Sequence, residues 1–376
     1  MSLPRKNLVF VLGTRPEAIK LAPVILGAKE RESFNCAVWS TGQHRELLDP
    51  MLAYFQINPD FELNLMQAGQ SLNLFASRAI AELDQLFVRQ KPDIVIVQGD
   101  TTTVLATALT AFHRKIKIAH IEAGLRTFDL ESPWPEEANR VIVSRLAHCH
   151  FAATAHARDN LLREGVEPGR IYLTGNPVVD ALMMASVHIE KYPPIVPQVP
   201  EIIWTNSEIP VVLVTCHRRE NVSERIAQVC QAINQLAHDF SRVHFVFPVH
   251  PNPAVSAIVR STLFSAENVH AISPLDYLPF IRLMGRSRLI LTDSGGVQEE
   301  APTFHVPVLV MRNKTERPEA IEVGISKLIG PEAQTIIEET SRLLSDSSTY
   351  ASMIRKENPF GDGKASERIL NALEAL

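Results

Sequence analysis

The chain of 376 residues is 45% hydrophobic, enough for a large core, and its length suits two domains better than one. A formal net charge of −5 excludes a global attraction to nucleic acid or an anionic membrane, so any anion site has to be built from particular arginines and helix ends. Four scattered cysteines, no charged-then-apolar leader and no apolar run near the roughly 20 residues of a membrane span fit reduced thiols in a cytoplasmic protein.

In the first half, residues 8–12, 37–39, 94–97, 118–121 and 151–153 are short apolar runs of the kind that form buried parallel strands. Between them, residues 18–29, 72–89, 102–113 and 137–146 carry apolar side chains at helical spacing, which predicts repeated βα units and a doubly wound parallel sheet. The proline-rich stretch 192–197 cannot continue a helix and separates this half from a second series of strands at 211–214, 245–247, 289–291 and 308–310. The expectation is therefore an α/β protein of two Rossmann-like domains with a ligand cleft between them. Residues 1–190 form the first, 200–363 the second, and a helical segment at 364–376 ends the chain.

The first strand runs into Gly13-Thr14-Arg15-Pro16, a strand-to-helix corner with proline suited to the first helical turn. Its backbone N–H groups, with Arg15 and Lys20, suit a phosphate, although an ordinary tight turn reads the same way. It is neither a Walker A sequence nor GxGxxG, so neither ATP nor NAD is implied. Three later loops place carboxylates at strand ends. Asp100 either caps the next helix or faces a ligand; Glu122 follows an apolar strand directly; Glu136 and Glu137 are either first-turn helix acids or functional groups. His148-Cys149-His150 lacks any zinc spacing and reads as packing.

In the second half, His217 and two arginines crown a strand end, suited either to a diphosphate or to pairing with Glu220. His250, between prolines, either locks its loop or repeats that pattern. The clearest phosphate signal is Asp293-Ser294-Gly295-Gly296, a small-residue turn between strand and helix where a ligand can approach backbone donors, with Glu300 one turn further on for a ribose diol. Arg312 and Arg317 follow in a basic loop.

Taken together, residues 13–20 (GTRPEAIK), 41–45 (TGQHR), 99–103 (GDTTT), 122–127 (EAGLRT), 132–140 (SPWPEEANR), 217–220 (HRRE), 293–300 (DSGGVQEE) and 316–319 (ERPE) resemble the non-hydrolysing UDP-N-acetylglucosamine 2-epimerases, in order and over nearly the whole chain. The resemblance implies a glycosyltransferase-B-like fold, a C-terminal helix returning to the first domain, and no metal or nicotinamide cofactor. It implies UDP contacts at Arg15, His217, Phe280, Ser294, Gly295, Gly296, Glu300 and Arg317. Asp100, Glu122 and Glu136 become acid/base groups, with Lys20 and His217 beside them. It further implies UDP-N-acetylglucosamine and UDP as ligands, a homodimer, and an activating substrate site through Gln43 and His250. Cys216 and Leu275 depart from the residues common in the family. A hydrolysing epimerase, an epimerase of a diacetamido-uronic acid nucleotide and a retaining glycosyltransferase of the same fold are the alternatives.

The chemistry constrains the mechanism. The C2 proton of such a sugar lies beside no carbonyl, so its removal alone would leave an unstabilised carbanion. Elimination of UDP to a 2-acetamidoglucal, followed by readdition, avoids this and needs both diphosphate donors and more than one carboxyl group.

Overall fold

The apolar runs at the strand positions become the central strands of two parallel sheets in the computed structural model, which describes residues 5–67, 69–216, 222–249 and 252–376. The chain divides into two compact units, one of Met1–Ala181 with Phe360–Leu376, the other of Leu182–Pro359.

In the first unit the strands are β1 (Lys6–Leu12), β2 (Phe34–Ser40), β3 (Phe61–Glu62), β4 (Ile94–Gln98), β5 (Lys117–Ile121), β6 (Cys149–Ala152) and β7 (Ile171–Leu173). They pair in parallel in the order β3-β2-β1-β4-β5-β6-β7. The order reverses direction between β1 and β4, so the loops that leave these two strands flank the switch point of the sheet, where open α/β sheets bind ligands. Trp39, Phe75, Leu83 and Phe87 are buried in the core on one face, each contributing about 1.5–3 kcal/mol by burial.

The second unit contains β8 (Val211–Thr215), β9 (His244–Pro248), β10 (Val269–Ile272), β11 (Leu289–Thr292), β12 (Val308–Val310) and β13 (Ser326–Leu328). Their parallel order, β10-β9-β8-β11-β12-β13, repeats the same winding with its switch point between β8 and β11. Phe245, Phe247, Leu289 and Leu291 fill its core.

The strands absent from the sequence reading are β3, β7, β10 and β13, the four sheet edges. Each is two to four residues long and mostly half-exposed, so it lacks the continuous apolar run by which central strands are recognised.

The last helix, Ala365–Ala375, belongs to the first unit. Asp180 caps it, accepting from the Ser366 N–H at 2.8 Å and the Ala365 N–H at 3.2 Å. At its other end Lys6 donates to the carbonyls of Leu373 at 3.1 Å and Glu374 at 2.7 Å, the groups a helix leaves unsatisfied. Among the described residues, no helix is long and apolar enough to cross a membrane.

Candidate active site

The corner after β1 is held by one buried carboxylate. Glu17 accepts from the Gly13 N–H (2.8 Å), the Thr14 N–H (2.7 Å) and the Thr14 hydroxyl (2.9 Å), while the Thr101 hydroxyl donates to its other oxygen at 2.7 Å. This capping box ties the loops after β1 and β4 together, and burial pushes the Glu17 carboxyl above its ordinary range. Arg15, at the first turn of the helix Arg15–Glu30, is exposed and has no side-chain partner among the described residues. One turn on, Lys20 is buried and donates to Glu122 Oε2.

Glu122, directly after β5, has a backbone φ of 61°, a left-handed conformation that costs a non-glycine residue about 1–3 kcal/mol. Two residues later Gly124 turns the chain at φ 93°, where a Cβ would stand 2.1 Å from the Ala157 carbonyl oxygen. The strand end is thus bent to turn Glu122 toward Lys20 and toward Asn176, whose amide donates to the same Oε2 at 3.0 Å.

Asp100 does not cap the following helix. Thr101 does, accepting from the Val104 N–H at 3.3 Å. Asp100 instead pairs with the buried Arg140 at 2.7 Å, and Arg140 also reaches Glu137 at 3.2 Å. The adjacent acids Glu136 and Glu137 therefore differ. Glu137 is fully buried and accepts from the Thr127 and Phe128 N–H groups at 3.0 Å each. Glu136, at the helix start, is half-buried and has no side-chain partner among the described residues.

Gln43 also lies in this unit. Its Oε1 accepts from the Thr103 hydroxyl at 2.8 Å, and that hydroxyl shares a hydrogen bond with Thr41 at 2.9 Å. Behind the loops, His120 on β5 is fully buried, with Nε2 at 2.8 Å from the Gly99 carbonyl oxygen, where it donates as a neutral ring. Burial pushes His120 down to about 4. Unfolded, it titrates near its ordinary value of about 6.5, so the unfolded chain takes up the proton first and stability falls as the pH drops from about 6.5 to 4. His120→Gln keeps a donor without titrating. Urea unfolding of the variant is expected to show an acid destabilisation between pH 7 and 5 smaller than that of the wild type by about 2 kcal/mol.

In the second unit, Ser294 starts the helix Gly295–Glu300 directly after β11, and its N–H donates to the Thr292 hydroxyl at 2.9 Å. A Cβ at Gly295 would lie 2.5 Å from Arg317 Nη1, so the missing side chain is what lets the guanidinium sit against this turn. Gly296 is open, with only Ser294 Oγ near, at 3.9 Å. Arg317 is not a bare cation as its basic loop suggested. It donates to Glu299 at 2.7 Å and to Glu316 at 2.5 Å, and Arg312 donates to Glu316 at 2.9 Å. These ion pairs hold the guanidinium in place with part of its donor capacity already committed. Glu300 and Phe280 are half-buried, the first ending the short helix and the second in the helix Tyr277–Arg286. His217 and His250 lie outside the described residues. Among the described residues, no cluster of histidine, cysteine and carboxylate groups could hold a metal ion.

Two doubly wound parallel sheets, with paired carboxylates at the strand ends of one unit and a glycine turn backed by arginine in the other, define a glycosyltransferase-B-like α/β protein. The family profile described as UDP-N-acetylglucosamine 2-epimerase matches residues 27–374. The UDP-N-acetylglucosamine 2-epimerase of Salmonella typhimurium strain LT2 is 48% identical over 98% of each chain. Among solved structures, UDP-GlcNAc 2-epimerase from Neisseria meningitidis bound to UDP-GlcNAc superposes with a TM-score of 0.90 at 44% identity, covering 98% of this chain and 100% of that one. The Methanocaldococcus jannaschii enzyme in complex with UDP-GlcNAc and UDP gives 0.81 at 35%, again covering 98% and 100%. The chain belongs to the UDP-N-acetylglucosamine 2-epimerase family.

Proposed function

We propose that this protein interconverts UDP-N-acetylglucosamine and UDP-N-acetylmannosamine by eliminating UDP and adding it back. The observation that carries the reading is a set of three carboxylates, Asp100 and Glu122 at the ends of neighbouring strands and facing cations, and Glu136 at the start of the next helix with no such partner among the described residues. Glu122, held by Lys20, and Asp100, held by Arg140, are oriented by these cations and are assigned the acceptance of the C2 proton. Glu136 is assigned the delivery of a proton to the opposite face.

In the forward direction a base takes the C2 proton, the C2–H electron pair forms the C1=C2 bond, and the C1–O bond breaks with its pair leaving on the UDP diphosphate. Arg15, His217, Arg317 and the Ser294-Gly295-Gly296 turn would carry the leaving group's charge, with Phe280 and Glu300 on the uridine. Readdition of UDP with protonation at C2 from the other face completes the inversion. Gln43 and His250 are proposed as the activating substrate site. A homodimeric assembly is proposed from the family resemblance, and a cytoplasmic location from the four scattered cysteines.

Incubation with UDP-N-acetylglucosamine in deuterated water, followed by NMR, tests the reading. Deuterium at C2 of a sugar still joined to UDP is expected. Release of free N-acetylmannosamine would favour the hydrolysing alternative, and absence of exchange would overturn elimination. Gly295→Ala drives a methyl group into the space Arg317 occupies. Calorimetric titration is expected to show UDP bound about 10- to 100-fold more weakly, the worth of one charged hydrogen bond.

A further inference from the structure

Asn176 has no place in the motifs that drew attention to the site, yet it reaches the central carboxylate. It is almost fully buried and precedes Pro177, the first residue of the helix Pro177–Lys191. Its side chain faces two ways. Oδ1 accepts from the Val178 N–H at 3.1 Å, as a helix cap does, and Nδ2 donates to Glu122 Oε2 at 3.0 Å. Its backbone is held as firmly: the Asn176 N–H donates to the Phe360 carbonyl at 2.7 Å. A Cβ on the neighbouring Gly175 would come within 3.3 Å of the Gly361 Cα, so the two backbone segments lie against each other. The chain leaves the first unit after Ala181 and re-enters it at Phe360, so Asn176 is anchored beside both passages.

We propose that Asn176 is a positioning residue for the reaction, its amide fixing the Glu122 carboxylate, together with Lys20, in the orientation from which it exchanges the C2 proton. The proposal rests on the reading of Glu122 as a proton-transferring group. Among the described residues, Arg126 pairs with Glu164, Asp100 with Arg140, and the His120 ring donates to the Gly99 carbonyl. Lys20 and Asn176 both donate to Glu122 Oε2. An ammonium alone sets charge but little direction, because it is a rotatable point donor; a planar amide locked by its own cap and backbone supplies the direction.

Asn176→Asp and Asn176→Ser test this in the full chain. Both keep an oxygen able to cap the helix through the Val178 N–H, and both remove the planar amide Nδ2 that donates to Glu122. Each variant is assayed for kcat, KM, C2 deuterium incorporation and UDP binding across pH, beside Glu122→Gln. Asn176→Asp is expected to lower kcat about 10- to 100-fold with KM nearly unchanged, and to move the acid limb of the kcat profile up by about one pH unit, because a second carboxylate opposes ionisation of the first. Asn176→Ser is expected to lower kcat about tenfold with a smaller movement of that limb. In the Glu122→Gln background, Asn176→Asp should have no further effect on kcat. Variants that bind UDP and retain wild-type kcat and pH profile would overturn the proposal. So would a loss of activity that only follows loss of folded protein. If Glu122→Gln itself exchanges C2 at the wild-type rate, the reading of Glu122 fails instead, whatever Asn176 does.

Discussion

Glu122→Gln is expected to lose C2 exchange by about 10²- to 10⁴-fold, the contribution of a well-placed acid/base group, while still binding UDP. The amide matches the carboxylate in shape, so the strained turn at φ 61° and the space beside Lys20 are preserved. Its oxygen can face Lys20 and Asn176 as the carboxylate oxygen does, but it cannot take a proton. Lys20 loses a negative partner, so part of the damage falls on stability. UDP binding separates the two effects, because the Ser294-Gly295-Gly296 turn and Arg317 belong to the other unit. Deuterium exchange within tenfold of wild type, in protein that binds UDP normally, would remove Glu122 from the chemistry.

What could be read from the sequence is what a strand end writes locally. Glu122 stands directly after an apolar run, and Gly295 follows another by only a few residues, so their positions at the ends of β5 and β11 were legible before any fold was known. The alternation of apolar runs and helical periods likewise foretold two doubly wound sheets, apart from the edge strands, whose half-exposed residues carry no such pattern. Partnership was not legible. Nothing in the sequence says that Asp100 pairs with Arg140 forty positions later, or that Asn176 reaches Glu122 across 54 residues. These contacts arise only when the loops after β4 and β5 meet the helix Glu136–Leu146 and the turn before Pro177. The acids Glu136 and Glu137 make the point within one dipeptide. They are identical by composition and adjacent on a helix start, but the helix turns one into the core beneath Thr127 and Phe128 and leaves the other half-exposed. Arg317 shows the converse: a cation legible as an anion binder is held against the glycine turn by two carboxylates that periodicity could not assign to it.

Removing Arg140 is expected to be the most disruptive single change in the first unit. Arg140 is buried, with Asp100 at 2.7 Å on one side and the fully buried Glu137 at 3.2 Å on the other. Arg140→Met keeps much of the volume but leaves two carboxylates facing each other's surroundings without a cation. Breaking a buried pair in this way costs about 3–5 kcal/mol, more than the pair itself contributes, because the stranded charge stays out of water. In the variant the stranded carboxyl groups prefer their protonated forms in the folded state more than in the unfolded chain. Their penalty is therefore present above the ordinary carboxyl range of about 4 and is relieved as the pH falls toward it. Urea unfolding at pH 7 should show the full loss, and at about pH 4.5 the gap to wild type should narrow. Activity should fall further than stability, since Asp100 would lose the guanidinium that orients it while Glu137 loosens the loop at Thr127 and Phe128. Arg140→Lys should recover part of the stability and little of the rate, because one ammonium cannot span both carboxylates as the planar fork does. A lysine variant with wild-type kcat would mean that Asp100 needs only a nearby charge and not the geometry that Arg140 imposes.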